Sequence, residues 1–368
     1  MKLKSTLNPK AGYFLDGMQS YQTPASRIVD IGVEIPKRRV SNEEIAELIQ
    51  GPVKLKKALP SIMERTTGNN LRAYAPKGTV PSDLAVRAIM SLVKRTDLDI
   101  NTVDTLIFAS TDMDMMEPAT ANIVQHKLGL KRVNALDVSN ACNSFLQAMN
   151  VANSLIATGA AHRVIICSGE LGSAVCNYEL GDVKELRVKM GGLTLGDAGA
   201  AMLLEAAQGD GIGIEEINLM SFGEHWRLCH VPEKLDWRQQ GGALNPWFYL
   251  DMPELAVVAK RFTLNYLQQY SQLRTSDPKA SITDQVDFFV PHQISRTMIE
   301  YVCFKEMKMD PEKVAITAHL YGNTASTAIP LALRWLMDNS RLSIGSGKDC
   351  LLYGAASGFG LGHIRVKL

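Results

Sequence analysis

Several classes of protein are excluded by what this sequence does not contain. No apolar run in its 368 residues approaches the ~18–20 residues that span a bilayer. The first residues, Met1 to Thr23, include lysines but no apolar core of the kind that signal peptides have. We therefore expect a cytoplasmic protein with no membrane span.

Patterns typical of metal, disulfide and nucleotide sites are also missing. The chain has six cysteines but no CxxC pair, which argues against a zinc site and a disulfide framework. Its glycine-rich segments Gly191-Gly192 and Gly209-Asp210-Gly211 lack the strand-to-helix context of a GxGxxG loop. A net charge of +1 gives no indication of a surface for nucleic acid. We expect no metal, no dinucleotide cofactor and no nucleic-acid partner.

The composition is that of an ordered globular protein. Hydrophobic residues make up 46% of the chain and charged residues 21%, and the length allows one large or two medium domains. Strand-like and helix-like patterns alternate through residues 27–207 and then again through residues 208–368. After a polar extension, residues 1–26, we therefore predict an α/β protein built from two duplicated β/α halves.

Short apolar runs and amphipathic segments define the predicted elements. Strands are predicted at residues 27–33, 103–110, 135–138, 164–168, 200–205, 286–290, 314–317, 350–354 and 362–367. Helices are predicted at residues 42–49, 82–95, 119–128, 142–158, 255–269, 297–307 and 327–338. The helix at 142–158 is apolar nearly all round, which indicates that it is buried in the core.

Three polar residues come directly after predicted strands, each next to a glycine, a proline or a helix start. They are Cys142, His292 and Asn323. In open α/β sheets, functional groups collect outside the carboxyl ends of the strands, so distant positions can converge there. Cys142 also stands where a strand gives way to a helix, whose N-terminal partial positive charge favours thiolate over thiol. We therefore predict Cys142 as the nucleophile.

A thiol, an imidazole and a carboxamide together suit acyl transfer. A thiolate attacks a thioester carbonyl and holds the acyl group. Neutral imidazole and an amide can both donate hydrogen bonds to a developing oxyanion or enolate oxygen. Taken singly, His292 would more often be a structural histidine and Asn323 a turn residue. Their common placement favours the functional interpretation.

Five segments of the chain carry a resemblance to a known family. They are Asn-Ala-Cys142, Pro-His292-Gln-Ile-Ser-Arg, Tyr-Gly-Asn323-Thr-Ala-Ser-Thr-Ala-Ile-Pro, Leu195-Gly-Asp-Ala-Gly-Ala-Ala and Gly354-Ala-Ala-Ser-Gly-Phe-Gly. They resemble signatures of the β-ketoacyl-ACP synthase III family in the thiolase superfamily. The order and spacing of the first three also match, and the resemblance covers roughly residues 27–368.

The resemblance implies a thiolase-like fold, with two stacked β/α halves in a five-layered αβαβα arrangement, and a homodimer. It implies that Cys142 accepts an acyl group and that His292 and Asn323 bind the thioester oxygen of the second substrate. The backbone N–H groups of Cys142 and Ser357 would form the oxyanion hole, although the family usually has glycine at the position of Ser357. Substrates would arrive as thioesters of coenzyme A or of acyl carrier protein, with no further cofactor.

Two segments depart from the common fatty-acid-priming enzymes. Relatives that use acyl-CoA often carry a tryptophan just before an Arg-Thr-Gly segment, but residues 62–68 read Ile-Met-Glu-Arg-Thr-Thr-Gly. A carrier-protein donor or a different grip on coenzyme A is therefore open. Glu117 stands where those enzymes usually have an apolar residue. Its segment, and the Ile-Ser-Arg296 that follows His-Gln, look more like the head-to-head acyl-CoA condensing enzymes of olefin biosynthesis, in which the matching glutamate is a base across the dimer interface.

The two groups of enzymes imply two different reactions. A malonyl thioester forms its enolate by losing CO2, whereas an unactivated acyl thioester must lose an α-proton to a base such as Glu117. Glu117 also precedes a predicted helix, where an acid is favoured without any catalytic role. We expect decarboxylative condensation, with the non-decarboxylative reaction as the alternative. A non-catalytic partner subunit and an acyltransferase that forms no C–C bond are further alternatives.

Three more residues are candidates for substrate contact. Met116 belongs to a methionine cluster that could line an acyl tunnel, and Phe359 lies in the glycine-rich loop near the C-terminus. Arg296 is one of several basic residues that could meet an acidic carrier protein. Residues 223–248 are a long insertion, which we interpret as a loop.

Overall fold

The computed structural model describes residues 14–231, 247–275, 277 and 280–368. The chain folds into two five-stranded sheets with helices between and outside them. The strands are β1 (Gln19–Ser20), β2 (Ser26–Glu34), β3 (Arg38–Ser41), β4 (Leu71–Tyr74), β5 (Thr105–Ala109), β6 (Asn134–Val138), β7 (Arg163–Leu171), β8 (Asp197–Ala206), β9 (Gly213–Ser221), β10 (Cys229–His230), β11 (Tyr249–Leu250), β12 (Phe288–Pro291), β13 (Asp349–Ala356) and β14 (Gly360–Lys367).

Helices follow most of the predicted segments. They are α1 (Asn42–Leu48), α2 (Val53–Thr67), α3 (Pro81–Thr96), α4 (Thr120–Lys127), α5 (Ser144–Ala157), α6 (Leu186–Leu193), α7 (Met252–Arg274), α8 (Arg296–Glu300), α9 (Ala318–Tyr321) and α10 (Ala328–Asp338). A turn of π-helix, Tyr301–Glu306, continues α8. Within the described ranges, no helix combines the length and the apolar character needed to cross a bilayer.

Four neighbouring strands of each sheet follow the same order, β2-β8-β7-β5 in the first and β9-β14-β13-β12 in the second. The first runs β2-β8-β7-β5-β6, and the second runs β1-β9-β14-β13-β12. In each, the first long strand of the half lies beside the last, and the parallel pair lies toward the other edge. This repetition confirms the predicted duplication. The predicted boundary between residues 207 and 208 falls in the connection between β8 and β9.

One predicted strand is reduced to a single contact. In place of a strand at residues 314–317, only Val314 forms a bridge, with Phe289 of β12. The buried side chain of Gln293 satisfies the backbone instead, because its Oε1 accepts hydrogen bonds from the N–H groups of Thr317 and Ala318 at 2.7 and 3.1 Å. The strand prediction was wrong, because the Gln293 amide makes the backbone hydrogen bonds that a neighbouring strand would otherwise make.

Helices α5 and α10 form the middle layer. Their buried side chains, such as Phe145 of α5 and Leu333 of α10, share one hydrophobic cluster with both sheets. Helix α5 is apolar nearly all round because a sheet covers it on each side. Helix α3 covers the outer face of the first sheet, and α7 covers that of the second. These are the five layers of the predicted thiolase-like fold.

The chain before β2 lies against the second sheet. Strand β1 pairs antiparallel with β9, and Phe14 is fully buried with its ring edge-on to those of Phe222, Phe262 and Tyr266. Part of the predicted extension therefore joins the core of the second half. In the predicted loop 223–248, the described residues form a 3₁₀ turn and β10, which pairs with β11 just after the loop. Residues 232–246 lie outside the described residues.

Three glycines allow α3 to lie directly on the first sheet. A Cβ added at Gly32, Gly199 or Gly169 would come within 2.3, 2.3 and 1.9 Å of a backbone carbonyl oxygen of α3. These residues stand on β2, β8 and β7, which are adjacent in the sheet. Only a residue without a side chain fits at such distances, so the spacing between helix and sheet depends on these positions.

We expect Gly199→Ala to lower the free energy of unfolding by ~1–3 kcal/mol, the usual cost of overpacking. The added methyl group meets the Leu84 carbonyl oxygen and displaces α3. Denaturant titration followed by circular dichroism measures the change. Gly223→Ala is the control, because a Cβ there meets no atom within 4 Å. Equal loss of stability in both variants would contradict the role of the close approach.

Candidate active site

Cys142 lies on a strained turn between β6 and α5. The helix begins at Ser144, two residues later than predicted, with Asn143 at its N-cap. Ala141 has a φ of 48°, in the left-handed region that costs a residue with a side chain ~1–2 kcal/mol. The Ser144 hydroxyl accepts a hydrogen bond from the Asn140 N–H at 2.8 Å and donates to the Ala141 carbonyl at 2.6 Å. This turn fixes the direction in which the thiol leaves the backbone.

Two adjoining cavities meet at Cys142. The larger, of about 380 Å³, is lined by Cys142, Asn323 and Ser357 among others. The smaller, of about 70 Å³, is lined by the same three residues together with His292 and Phe359. The structure thus brings five predicted site residues from both halves around one space. Among the described residues, no group of three or more His, Cys, Asp or Glu side chains is placed to hold a metal ion.

Burial raises the pKa of the Cys142 thiol, contrary to the low value expected from a helix N-terminus. Nearby Cys229 and Glu170 add to this rise by charge repulsion. Hydrogen bonds from the backbone N–H groups of Ser357 and of Cys142 itself lower the pKa and favour thiolate, but they do not outweigh burial. The resting group is therefore a thiol. The expectation was wrong because burial, which the position of Cys142 before a helix does not reveal, has the larger effect on its pKa.

His292 follows β12 and has only 5% of its surface exposed. Its backbone N–H donates to the Tyr353 carbonyl of β13 at 2.8 Å, which fixes the residue beside that strand. Burial lowers the pKa of the imidazole to about 4, so the ring is neutral at pH 7. Within the described part of the chain, no group forms a hydrogen bond to its Nδ1. A neutral ring of this kind can form a hydrogen bond with a ligand in the cavity.

Asn323 is held on the turn before α10 by hydrogen bonds to both halves of the chain. Its backbone N–H donates to the Thr194 carbonyl, and its carbonyl accepts from the Gly196 N–H, both at 2.9 Å. Its side-chain Oδ1 accepts from the Ala325 N–H at 3.0 Å. This leaves the amide NH2 group to donate toward the cavity that Asn323 lines.

Ser357 lies on the sharp turn between β13 and β14. Gly358 and Phe359 have φ values of 76° and 54°, so the chain reverses within a few residues. The Ser357 N–H lowers the pKa of the Cys142 thiol, and the Ser357 hydroxyl donates to the sulfur of Cys229 at 3.0 Å. The second contact is one that a glycine could not make.

Glu117, Met116 and Arg296 do not line the two cavities at Cys142. Glu117 and Met116 are exposed on the segment before α4, Met116 with 74% of its surface. Arg296 is exposed at the start of α8, where it forms an ion pair with Glu300 at 2.7 Å. The single chain does not bring the predicted base to the thiol, so the assignments of these three residues stay predictions.

Comparison with known proteins agrees with this arrangement. The family described as 3-oxoacyl-(acyl-carrier-protein) synthase III matches residues 136–223, and the family described as its C-terminal part matches residues 279–368. The first range contains Cys142, and the second contains His292 and Asn323. Both halves of the chain are therefore β-ketoacyl synthase III-like.

Relatives of this synthase III-like protein match nearly its whole length. The β-ketoacyl-(acyl-carrier-protein) synthase III of Neisseria gonorrhoeae is 28% identical over 343 residues, which are 93% of this chain and 99% of the relative. Among solved structures, synthase III from Pseudomonas aeruginosa has a TM-score of 0.78 at 23% identity and covers 93% of this chain and 98% of its own. OleA from Xanthomonas campestris has a TM-score of 0.80 at 22% identity, with 95% and 100% covered. The predicted resemblance and fold are confirmed.

Two buried polar residues of this synthase III-like site were missed in the sequence. Glu170 is the second-last residue of β7 and lines the larger cavity with Cys142. Gln293 follows His292, and its Nε2 donates to the carbonyl groups of Pro291 and Ala315 at 2.7 and 3.0 Å. Both stand at the carboxyl end of a strand, so the rule that identified Cys142 applies to them once the strand ends are known.

Burial raises the pKa of the Glu170 carboxyl from 4.5 to about 7, although hydrogen bonds from Ser326 and Thr111 lower it. In the unfolded chain the group ionises near 4.5. Between these values the unfolded state releases a proton that the folded state keeps, so rising pH favours unfolding.

We expect Glu170→Gln to remove this pH dependence because glutamine does not ionise. Relative to wild type, the variant should gain ~1.4 kcal/mol of unfolding free energy for each pH unit between about 5 and 7. Denaturant titrations at several pH values measure the difference. Glu47→Gln, at an exposed position of α1, is the matched control. A difference between Glu170→Gln and wild type that stays constant with pH would rule out a buried, titrating carboxyl.

Proposed function

We propose that this protein joins two acyl thioesters on Cys142 by Claisen condensation and releases a β-ketoacyl thioester. The observation that carries the proposal is the meeting of Cys142, His292 and Asn323 at one largely apolar space. Such a space suits a hydrocarbon chain, and the three side chains suit the thioester at its end. Membership of the synthase III-like family supports the same reaction.

In the first step, the Cys142 sulfur attacks the carbonyl carbon of an acyl thioester. The oxygen becomes an oxyanion, which the backbone N–H groups of Cys142 and Ser357 stabilise. Both N–H groups lower the pKa of the Cys142 thiol, the effect expected of donors that face the sulfur. When the tetrahedral intermediate collapses, the carrier leaves as a thiol with the proton that Cys142 gives up. The acyl chain remains as a thioester of Cys142.

In the second step, a malonyl thioester binds with its thioester oxygen on His292 and Asn323. Loss of CO2 gives an enolate, whose negative oxygen these two donors stabilise. A neutral imidazole serves this purpose as a hydrogen-bond donor, and the lowered pKa of His292 keeps it neutral. The enolate carbon attacks the acyl group on Cys142. The sulfur leaves, and the product is the β-ketoacyl thioester of the second carrier.

A second candidate reaction uses an acyl thioester in place of malonyl and Glu117 as the base that removes the α-proton. The support for it is the surface on which Glu117 stands. Met113, Met115 and Met116 beside it are 46%, 50% and 74% exposed in the single chain, and a group of exposed apolar side chains is typical of an interface. A homodimer formed through this segment would bring Glu117 to the partner subunit's cavity.

The proposed carriers of the acyl groups follow from the position of Arg296 beside residues 62–68. Arg296 packs against the turn that ends α2. A Cβ added at Gly68 in this turn would lie 3.0 Å from the Cβ of Arg296. Residues 62–68 are the stretch without the tryptophan of acyl-CoA-using relatives. A basic residue there suits the phosphate of coenzyme A or an acidic carrier protein, and acyl-CoA and acyl carrier protein both remain proposed carriers.

We expect Asn323→Ala to keep the acylation of Cys142 and to slow product formation by ~10²–10³-fold, the effect of removing one oxyanion donor. Intact-protein mass spectrometry after incubation with acyl-CoA follows the first step, and liquid chromatography of the thioesters follows the second. Cys142→Ala is the control that should show no adduct. A wild-type protein that takes up no acyl group would contradict the proposal, and undiminished turnover in Asn323→Ala would indicate an acyltransferase instead.

The two reactions differ in what Glu117→Gln does. If malonyl decarboxylation drives the condensation, we expect CO2 release coupled to product and near wild-type turnover in Glu117→Gln. If Glu117 is the base, product forms from acyl-CoA alone and the variant loses it. If Glu117 only stabilises the start of α4, its replacement should lower the free energy of unfolding by ~0.3–1 kcal/mol and leave activity unchanged. Release of labelled CO2, product mass and thermal stability separate these outcomes.

A further inference from the structure

Glu170 is the buried carboxyl group closest to the proposed chemistry, and the two steps above do not use it. It has 1% of its surface exposed and lines the larger cavity together with Cys142 and Asn323. Among the described residues, no arginine, lysine or histidine forms an ion pair with it. Burial of a carboxyl group without a neighbouring cation costs free energy, so hydrogen bonds from neutral donors must offset this cost.

Four donors surround the carboxyl, and they belong to two loops. Oε1 accepts from the N–H of Thr111 at 2.9 Å and from the N–H of Ser326 at 3.3 Å. The Ser326 hydroxyl donates to Oε1 at 2.5 Å, and the Thr111 hydroxyl donates to Oε2 over a short distance. Only a carboxylate has lone pairs enough on two oxygens to accept from all four.

The two loops carry the groups that handle the second substrate. Ser326 lies three residues after Asn323, on the turn that leads into α10. Thr111 opens the segment that continues to Glu117. Glu170 therefore ties a loop of the second half to a loop of the first half, directly beside the thiol.

We propose that Glu170 is a positioning residue, which holds the Asn323 turn where its amide can bind the enolate oxygen of the second substrate. This inference rests on the proposed condensation and deepens it. The acylation step depends on the N–H groups of Cys142 and Ser357, and neither makes a hydrogen bond to Glu170. Loss of the Glu170–Ser326 link should therefore affect condensation and spare acylation.

Ser326→Ala removes the hydroxyl that lies 2.5 Å from Oε1 of Glu170 and 3.0 Å from the Ala109 carbonyl oxygen, and it leaves the carboxyl in place. We expect its kcat for condensation to fall by roughly 10–100-fold, because a displacement of about 1 Å at a reacting group has an effect of this size. Its rate of Cys142 acylation and its KM for the acyl donor should stay within a few-fold of wild type. Glu170→Gln keeps an acceptor for both N–H groups and should lie between Ser326→Ala and wild type.

Ser168→Ala is the matched control. Ser168 is buried on the same strand as Glu170 and its hydroxyl lies 2.8 Å from that of Ser326, but it makes no hydrogen bond to the carboxyl. We expect this variant to acylate and condense like wild type. It separates the loss of the Glu170 link from a general effect of removing a hydroxyl there.

The experiment uses the full chain and a series of acyl-CoA thioesters from acetyl to palmitoyl, with and without malonyl-CoA. Adduct formation on Cys142 and product formation are timed separately, and thermal unfolding is recorded for each variant. Slower condensation with normal acylation in Ser326→Ala supports the inference. Equal slowing of both steps, or no slowing of either, overturns it. Wild-type protein that forms no adduct overturns the proposed function itself, a result distinct from either.

Discussion

The packing of α5 and α10 between the two sheets is the constraint from which the site follows. Each helix is covered by a sheet on both sides, so its axis is fixed relative to the strands of both halves. Cys142 stands just before α5, and Asn323 stands on the turn before α10. Because four neighbouring strands of each half follow the same order, these two turns occupy matching places and face the same space. The duplication thus yields two different functional groups at one site.

Cys142 and His292 are both uncharged before substrate arrives. Burial keeps the Cys142 thiol protonated and the His292 imidazole uncharged. In the proposed reaction, negative charge develops on the oxygen and sulfur atoms of the reacting groups, which backbone N–H groups, an imidazole and an amide would stabilise. Hydrogen bonds of this kind are stronger in a space with few polar neighbours than in water. A neutral resting state also accommodates an apolar acyl chain without the need to desolvate an ion.

Buried polar side chains take the place of regular structure around the site. Gln293 satisfies the backbone at residues 315–318 from the end of β12, and Glu170 joins the turns of Thr111 and Ser326. Gly196 and Thr194 hold the backbone of Asn323 from the other half. Loops that carry functional groups are usually mobile, but each of these is held by hydrogen bonds to buried groups.

Local patterns were enough to predict the alternation of strands and helices, the duplication and the convergence of Cys142, His292 and Asn323, because periodicity and short motifs are properties of neighbouring residues. The uncharged state of Cys142, the loss of the strand at 314–317 and the positions of Glu170 and Gln293 became visible only in three dimensions. These depend on burial and on hydrogen bonds between positions far apart in the chain, such as Glu170 and Ser326. Local sequence patterns do not show which distant residues will pack over a side chain, and these residues set the solvation and hydrogen bonding of a buried polar group.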